Sequence, residues 1–389
     1  MPFSYEAPIT TLRSAKLMLA VNTINKHKET ITPYLYQPTM TTTATKSKLG
    51  QFYTTNYEYI LQGFSVPTDI PIVEPFAGNG DLLAFVKSSN HAFECYDIDP
   101  RKDYIIQRDT LLYPPSFSGK FVFTNPPYLA KNKSADKAVY ELYGCDDLYK
   151  CFIELLTRDV CEGGVLIVPL NFISSIRAGD TALRRRFVSA YRLDRIHIFE
   201  EQVFQDTTYT VCSIRFSRIG RDEPSTPTIC TIFPNKKQIA FALTEQNHYT
   251  IGGEIFTLPA TTAYKIERAT KDTKKTDCIT NILVKCIDDN IRSKIQLRLT
   301  SDQDRYIDTT PNLTERSYAT LVIDPPLSLA QQTELVERFN RLLEEYREKY
   351  NSLFLTNYRE SNTIARKRIS FGLVFQLCGY LLGESSSSA

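Results

Sequence analysis

Between about Tyr57 and Ser217 the chain alternates short apolar runs with stretches of helical spacing. "PIVEPF", "AFECYDI", "YIIQRD", "KFVFTN", "GGVLIVPLNFI", "LDRIHIFEE" and "YTVCSIRFS" read as strands. "DLLAFVKSS", "DLYKCFIELLTRDV" and "TALRRRFVSAY" read as helices, and in the second Leu148, Phe152, Leu155 and Leu156 share one face. This alternation predicts an α/β fold with a mostly parallel, Rossmann-like sheet covered on both faces. Ligands of such sheets sit outside the carboxyl ends of the strands. After Arg218 the pattern changes. "PTICTIF", "KQIAFAL" and "GEIFTL" are short β-like pieces, and "SLAQQTELVERFNRLLEEYREKYNSLF" is an amphipathic helix with Leu335, Phe339, Leu342 and Leu343 in phase. A boundary is therefore expected near residue 220, between a first domain of residues 46–220 and an α+β domain of residues 221–383. Residues 1–45 read as a partly helical N-terminal extension, and "ESSSSA", residues 384–389, as a disordered tail.

Composition adds little that is specific. A length of 389 residues suits two domains, and 42% hydrophobic with 23% charged residues is ordinary for a soluble globular protein. No apolar run approaches a membrane span and no signal peptide precedes the first domain, so an intracellular, cytoplasmic protein is expected, or one found with host DNA if virus-encoded. The nine cysteines are scattered singly and only four histidines exist, which argues for reduced thiols and against a metal site. A net charge of +2 does not point to nucleic acid; it permits a local basic face.

Candidate chemistry gathers at successive strand ends. "VEPFAGNGDLL" (Val73 to Leu83) turns tightly at Ala77-Gly78-Asn79-Gly80, where glycines let backbone approach a ligand. Asp97 closes the next strand, where a carboxylate can accept from both ribose hydroxyls, and Asp109 closes the third, where it can accept from an adenine amine. Taken singly, the turn is an ordinary connection and each Asp a cap. Together they describe a nucleoside site. The fourth strand end carries Asn125-Pro126-Pro127-Tyr128, in which two prolines fix φ and keep the residues ahead of them extended.

These motifs resemble the S-adenosylmethionine-dependent amino-methyltransferases of DNA, specifically the adenine-N6 group with the gamma order of motifs, in which Asn-Pro-Pro-Tyr is catalytic. The resemblance covers residues 46–217 in ordered motifs, with "FLTNYRESNTIARKRISF" matching the closing stretch of some members. It implies a class I methyltransferase domain followed by a target-recognition domain. It implies that the Asn125 carboxamide and the Pro126 carbonyl, held rigid by the prolines, accept the N–H bonds of a target adenine. Tyr128 and Phe204 would stack on that base, flipped out of the duplex. By the same resemblance Phe52, Tyr53 and Thr54 in "KLGQFYTT" wrap the cofactor's methionine end, Glu74, Ala77 and Gly78 line its pocket, and Ile98 packs on its adenine ring beside Asp97, Asp109 and Asn125. Phosphate contacts are expected from Lys131, Lys133, Arg366, Lys367 and Arg368, with Lys236, Lys237, Lys271, Lys274, Lys275, Arg292 and Lys294 as further candidates. A helix carrying Arg184 to Arg186 can touch the backbone or simply be solvated.

Partners implied are double-stranded DNA, with the protein a monomer and any companion endonuclease a separate polypeptide, in a type II restriction-modification system. Two alternatives stay open: an RNA or protein methyltransferase using the same motif, and a catalytically silent DNA-binding subunit. Asp324-Pro325-Pro326-Leu327 imitates the catalytic motif but lacks the aromatic and stands just before a helix, so it reads as a helix start.

Overall fold

The computed structural model describes residues 54–86, 92–204, 209–220, 227–288, 294–309, 317–357 and 367–387. Contacts divide the chain into residues 1–43 and 44–389, and all described residues belong to the second unit. The extension expected for residues 1–45, with Phe52, Tyr53, Arg292 and Arg366, lies outside the described residues.

Nine strands form one sheet in the order β3-β2-β1-β4-β5-β7-β6-β8-β9. They are β1 (Ile72–Glu74), β2 (Phe93–Asp97), β3 (Ile106–Gln107), β4 (Phe121–Thr124), β5 (Gly163–Pro169), β6 (Tyr191–Phe199), β7 (Val211–Arg218), β8 (Thr228–Phe233) and β9 (Lys237–Phe241). Strands β3, β2, β1, β4 and β5 run parallel. The chain steps outward from β1 to β2 and β3, then returns to add β4 on the other side. This reversal opens a crevice at the carboxyl ends of β1 and β4, where a doubly wound sheet binds its ligand.

The centre is apolar on both faces because both faces are covered. Every residue of β4 and β5 is buried. Helix Leu148–Arg158 packs one face through Phe152, Leu155 and Leu156, and helix Ala178–Ala190 adds Leu183 and Phe187, the latter against Tyr191 and Phe216. Segment 57–64 reaches β6 and β7: Ser213 donates to the Ile60 carbonyl (2.9 Å), and Phe64 stacks on His197 (4.4 Å between centroids). Gly164 permits the tight β4–β5 pairing, since a Cβ there would stand 2.3 Å from the Val122 carbonyl oxygen.

Four elements differ from the sequence expectation. Strand β7 is antiparallel to both neighbours. Only residues 200–210 lie between β6 and β7, and a parallel return needs a longer crossover. "DLLAFVKSS" forms only a 3-10 turn, Leu82–Phe85, with residues 87–91 outside the description. The sheet does not stop near residue 220, because β8 pairs parallel with β6 and β9 follows antiparallel. Helix Phe371–Ser387 takes in much of the stretch expected to be a disordered tail.

A second sheet, β10-β13-β11-β12, comprises β10 (Lys265–Arg268), β11 (Ile279–Lys285), β12 (Gln296–Leu299) and β13 (Tyr318–Asp324) and is wholly antiparallel. Helix Leu329–Tyr350 packs on it, capped by Ser328, whose side chain accepts from Gln331 N. Asp324-Pro325-Pro326-Leu327 therefore ends β13 and leads into a capped helix, with Asp324 ion-paired to Lys275. The short pair β14 (Thr356–Asn357) and β15 (Lys367–Arg368) returns the chain towards β6.

Candidate active site

The crevice holds a cavity of about 330 Å³. Its walls include Phe76, Gly78, Asp97, Ile98, Asp109, Asn125 and Pro127. The four strand ends singled out in the sequence thus meet around one space.

The glycine turn is held by its backbone. Gly78 and Gly80 take φ of +54° and +75°, and a Cβ on Gly80 would stand 2.6 Å from the Tyr104 hydroxyl oxygen. Ala77 N donates to the Tyr96 carbonyl (2.8 Å). Asp97, 4% exposed, accepts from Gly78 N and Asp99 N, each at 2.8 Å. Burial raises its pKa against those two hydrogen bonds. Each oxygen retains a lone pair for a hydroxyl donor. Ile98 is 47% exposed at the cavity wall, a placement that suits an aromatic ligand ring. Asp109 spends Oδ1 on the amides of Leu111 and Leu112 (3.0 and 3.1 Å), which is the capping role, while its carboxylate still lines the cavity.

Glu74 is not on the cavity wall. It is 1% exposed, and Oε2 is buried without a hydrogen-bond partner. Burial, then the neighbouring Asp97 and Asp81 carboxylates, push its pKa well above the usual range. Three acids thus gather at the turn with an orphaned oxygen among them. That arrangement fits a cationic ligand, as S-adenosylmethionine is.

Asn125 follows β4 and is 8% exposed. Its Nδ2 donates to Thr54 Oγ1 (3.1 Å), so Thr54 anchors the carboxamide. Tyr128 places its hydroxyl between Asn125 Oδ1 and the Ile167 carbonyl (2.7 Å), sharing one proton between two acceptors. Tyr128 is 3% exposed and Phe204 4%. Both were expected to stack on a base, yet both rings are buried. As found, Tyr128 orients Asn125, because the hydroxyl that fixes it also draws it into the sheet.

The segment after the motif is tied down too. Leu129 N donates to Asp147 Oδ1 (3.1 Å) and Leu148 N to the Leu129 carbonyl (3.2 Å). Burial lifts the Asp147 carboxyl to about 7 against the pull of Lys150. The Lys137 ammonium donates to the Lys131 and Ser134 carbonyls, closing a loop whose Ser134, Ala135 and Asp136 line the cavity. Sequence reasoning missed this loop and also Arg108, whose guanidinium lies 4.7 Å from the Tyr96 ring centroid at the cavity wall. The loop lies beyond the strand-end motifs, and Arg108, though it directly precedes Asp109 at the end of β3, carries no signal of its own.

The basic candidates divide. Lys133, Lys236, Lys271 and Lys274 are exposed, Lys131 lies 3.6 Å from Glu141, and Lys294 lies 3.6 Å from Glu344. Lys237 donates to the Glu348 carbonyl (3.2 Å) and Lys275 pairs with Asp324. Lys367 is corrected: it is 4% exposed, 3.8 Å from Glu200, and its pKa is lowered by burial. It joins β15 to the end of β6 instead of facing a phosphate. Arg368 beside it is half-buried in the same short strand. Among the described residues no group of three His, Cys, Asp or Glu side chains is placed to hold a metal ion.

Residues 33–204 match the protein family described as Eco57I restriction-modification methylase. Curated proteins give no match. Among solved structures the chain is similar to the EcoKI M protein, a type I restriction enzyme subunit, at 15% identity over 79% of this chain and 74% of that one, with a TM-score of 0.37. It is similar to the methyltransferase subunit of a type I restriction-modification system from Streptococcus thermophilus at 15% identity, 52% of each chain and a TM-score of 0.36. It is also similar to the type IIG restriction endonuclease BpuSI at 17% identity, 69% of this chain and 40% of that one, with a TM-score of 0.36. Two further solved proteins, from Vibrio vulnificus and Listeria monocytogenes, are spanned over 55% and 61% of their own lengths. The chain thus accounts for about half of several proteins it is similar to, and nothing about activity rests on such loose likeness.

Proposed function

We propose that the protein is an S-adenosylmethionine-dependent DNA adenine-N6 methyltransferase of the restriction-modification class. The observation that carries this reading is the Asn125 carboxamide, fixed by Thr54 and Tyr128 on the wall of a cavity whose other walls carry Gly78, Asp97, Ile98 and Asp109. The match of residues 33–204 supports the class. Asp97 would hold the ribose and Ile98 and Asp109 the adenine, with the buried Glu74 acting on the cationic end only through its field from behind the turn. When bound, the cofactor supplies an electrophilic methyl group. An exocyclic adenine amine is a weak nucleophile because its lone pair is delocalised into the ring. Asn125 Oδ1 and the Pro126 carbonyl accept its two N–H bonds, localising the lone pair towards the cavity. The prolines keep both acceptors in place, so little reorganisation accompanies charge development. The base must leave the duplex to reach them. The protein would work as a monomer on double-stranded DNA, with any endonuclease on another polypeptide.

Incubation with unmethylated duplex and S-adenosylmethionine, followed by digestion and mass spectrometry of the nucleosides, is expected to yield N6-methyladenine. N4-methylcytosine would overturn the base assignment, and an unmodified duplex would overturn the DNA substrate.

Cofactor binding should also release a proton. Burial and the neighbouring carboxylates favour the protonated form of Glu74, and a nearby cation favours the carboxylate. Affinity should therefore rise with pH up to that raised pKa. Titration calorimetry at several pH values, in two buffers of different ionisation enthalpy, should give buffer-dependent heats for the native protein that are absent from Glu74→Gln. Identical heats in both buffers for the native protein would remove Glu74 from the cofactor site.

A further inference from the structure

We propose that Asp147 is a positioning residue for methyl transfer, its carboxylate holding the chain immediately after the catalytic motif, an inference that rests on the DNA-methyltransferase reading above. Pro126 and Pro127 have no N–H, so no backbone donor can tie down the middle of the motif. Three described anchors stand at its flanks. Thr54 holds the Asn125 carboxamide (3.1 Å), the Ile167 carbonyl holds the Tyr128 hydroxyl (2.7 Å), and Asp147 Oδ1 accepts from Leu129 N (3.1 Å). The first two partners, a hydroxyl and a carbonyl, keep one form at any physiological pH. Of these three anchors, Asp147 is the one that titrates. Its clamp is double. Ala130 and Asp147 form an antiparallel bridge, and Leu148 N returns to the Leu129 carbonyl (3.2 Å), which the Tyr140 hydroxyl also reaches (2.9 Å). Leu129 and Leu148 line the cavity together with Asn125 and Pro127, so the clamp belongs to the wall that carries the motif.

What faces this carboxyl decides when it is charged. Lys150 is bonded to Asp146 and to Asp180 of helix Ala178–Ala190, at 2.6 Å each, and acts on Asp147 from farther off. Asp146, the adjacent residue, opposes ionisation. Tyr128 of the motif, Tyr149 of the same helix, Tyr140 of helix Ala138–Tyr143 and Tyr209 ahead of β7 have their pKa values raised, by burial first and with Asp147 adding to it. The Cys151 thiol is raised too, chiefly by Cys145. These groups are therefore uncharged at neutral pH and give Asp147 no ionic partner. Burial carries its pKa to about 7, against Lys150 and the amides of Tyr149 and Leu129. A hydrogen bond to a carboxylate is about twice as strong as one to a neutral group. Protonation thus slackens the hold on Leu129 and leaves the fold in place. As pH rises through about 7 the carboxylate forms, the chain after Tyr128 tightens, and the Pro126 carbonyl stays aimed at the target amine.

The test uses the full-length protein and duplex DNA containing its site, located by sequencing the methylated product. Transfer is followed in single turnover with cofactor and DNA both saturating, so that pH effects on binding do not enter. The native rate should rise about three- to tenfold between about pH 6 and about pH 8, centred near 7. Asp147→Asn keeps an acceptor oxygen for Leu129 N and removes the titration. It should run close to the native low-pH rate and stay flat across the same range. Asp147→Ala removes the anchor and should be slower than native at about pH 8 by about 10- to 150-fold. Affinity for S-adenosylmethionine, read by calorimetry, should stay within about threefold in both variants, because Gly78, Asp97 and Asp109 are untouched. A flat native profile overturns the inference. So does an Asp147→Asn profile that rises as the native one does, or a near-native rate for Asp147→Ala. Should the alanine variant fail to fold, the native and asparagine profiles decide by themselves. If the native protein methylates no DNA, the underlying reading falls with it, a pattern distinct from failure at Asp147 alone.

Discussion

Asn125→Ala is expected to reduce methyl transfer by at least about 10²- to 10³-fold, the usual cost of deleting one preorganised group that acts on developing charge. The substitution removes the side-chain acceptor and leaves the Pro126 carbonyl to hold the amine alone. Its structural cost should be small by comparison. Tyr128 keeps the Ile167 carbonyl as an acceptor, and the contact of the carboxamide with Thr54 is lost from its other side. The cofactor groups at Gly78, Asp97 and Asp109 are untouched, so affinity for S-adenosylmethionine should stay within a few-fold. Asn125→Asp keeps an acceptor oxygen and the Thr54 hydroxyl can turn to donate to it, so this variant should retain much more activity than the alanine one. Single-turnover transfer of labelled methyl to duplex, beside calorimetric cofactor titration, separates the two effects. Alanine turnover within tenfold of native would sink the catalytic assignment.

The strand ends were legible because they obey local rules. A parallel strand is apolar throughout, its end is punctuated by glycine, acid or proline, and the fold brings such ends together at the reversal between β1 and β4. Glycine turn, Asp97, Asp109 and Asn125 could therefore be placed in one site from spacing alone. Burial of an individual polar or aromatic side chain obeys no such rule. Tyr128 reads as a surface ring for stacking, yet its hydroxyl finds two acceptors inside the sheet. Lys367 reads as part of a basic run, yet the returning β15 carries it against Glu200. The end of the first sheet was misjudged for the same reason. Composition changes after Arg218, but β6 still has an open edge, and β8 fills it.

Arg184 shows the same limit with the largest expected stability effect: Arg184→Met should destabilise the protein by about 3–5 kcal/mol. In "TALRRRFVSAY" the three arginines look alike, and a helix bearing them suggests phosphate contact. Leu183 and Phe187 define the buried face, and Arg184 falls beside them; it is 0% exposed, whereas Arg185 is exposed and Arg186 reaches Glu154 (2.8 Å). The guanidinium donates to the carbonyls of Phe172, Ser175 and Tyr249 and to Thr250 Oγ1 (2.6 Å). Those partners come from the short helix Asn171–Ser174 and its cap after β5 and from the loop after β9, so one side chain ties the first sheet to the chain leading into the second. Burial lowers its pKa to about 10, so it remains charged at neutral pH, and its desolvation is offset by these acceptors and by the nearby Asp180 carboxylate. Methionine fills similar volume but withdraws the donors from three interior carbonyls and leaves the Thr250 hydroxyl with its bond to the His248 carbonyl. Lysine supplies a charge without the planar fork that reaches all four, and Arg184→Lys should recover less than half of the loss. Since a domain's total stability is about 5–15 kcal/mol, the methionine variant should shift the chemical-denaturation midpoint markedly and expose the segment around Tyr249 to hydrogen exchange. A midpoint within about 1 kcal/mol of native, with that segment still protected, would mean that the two sheets are joined by apolar packing alone.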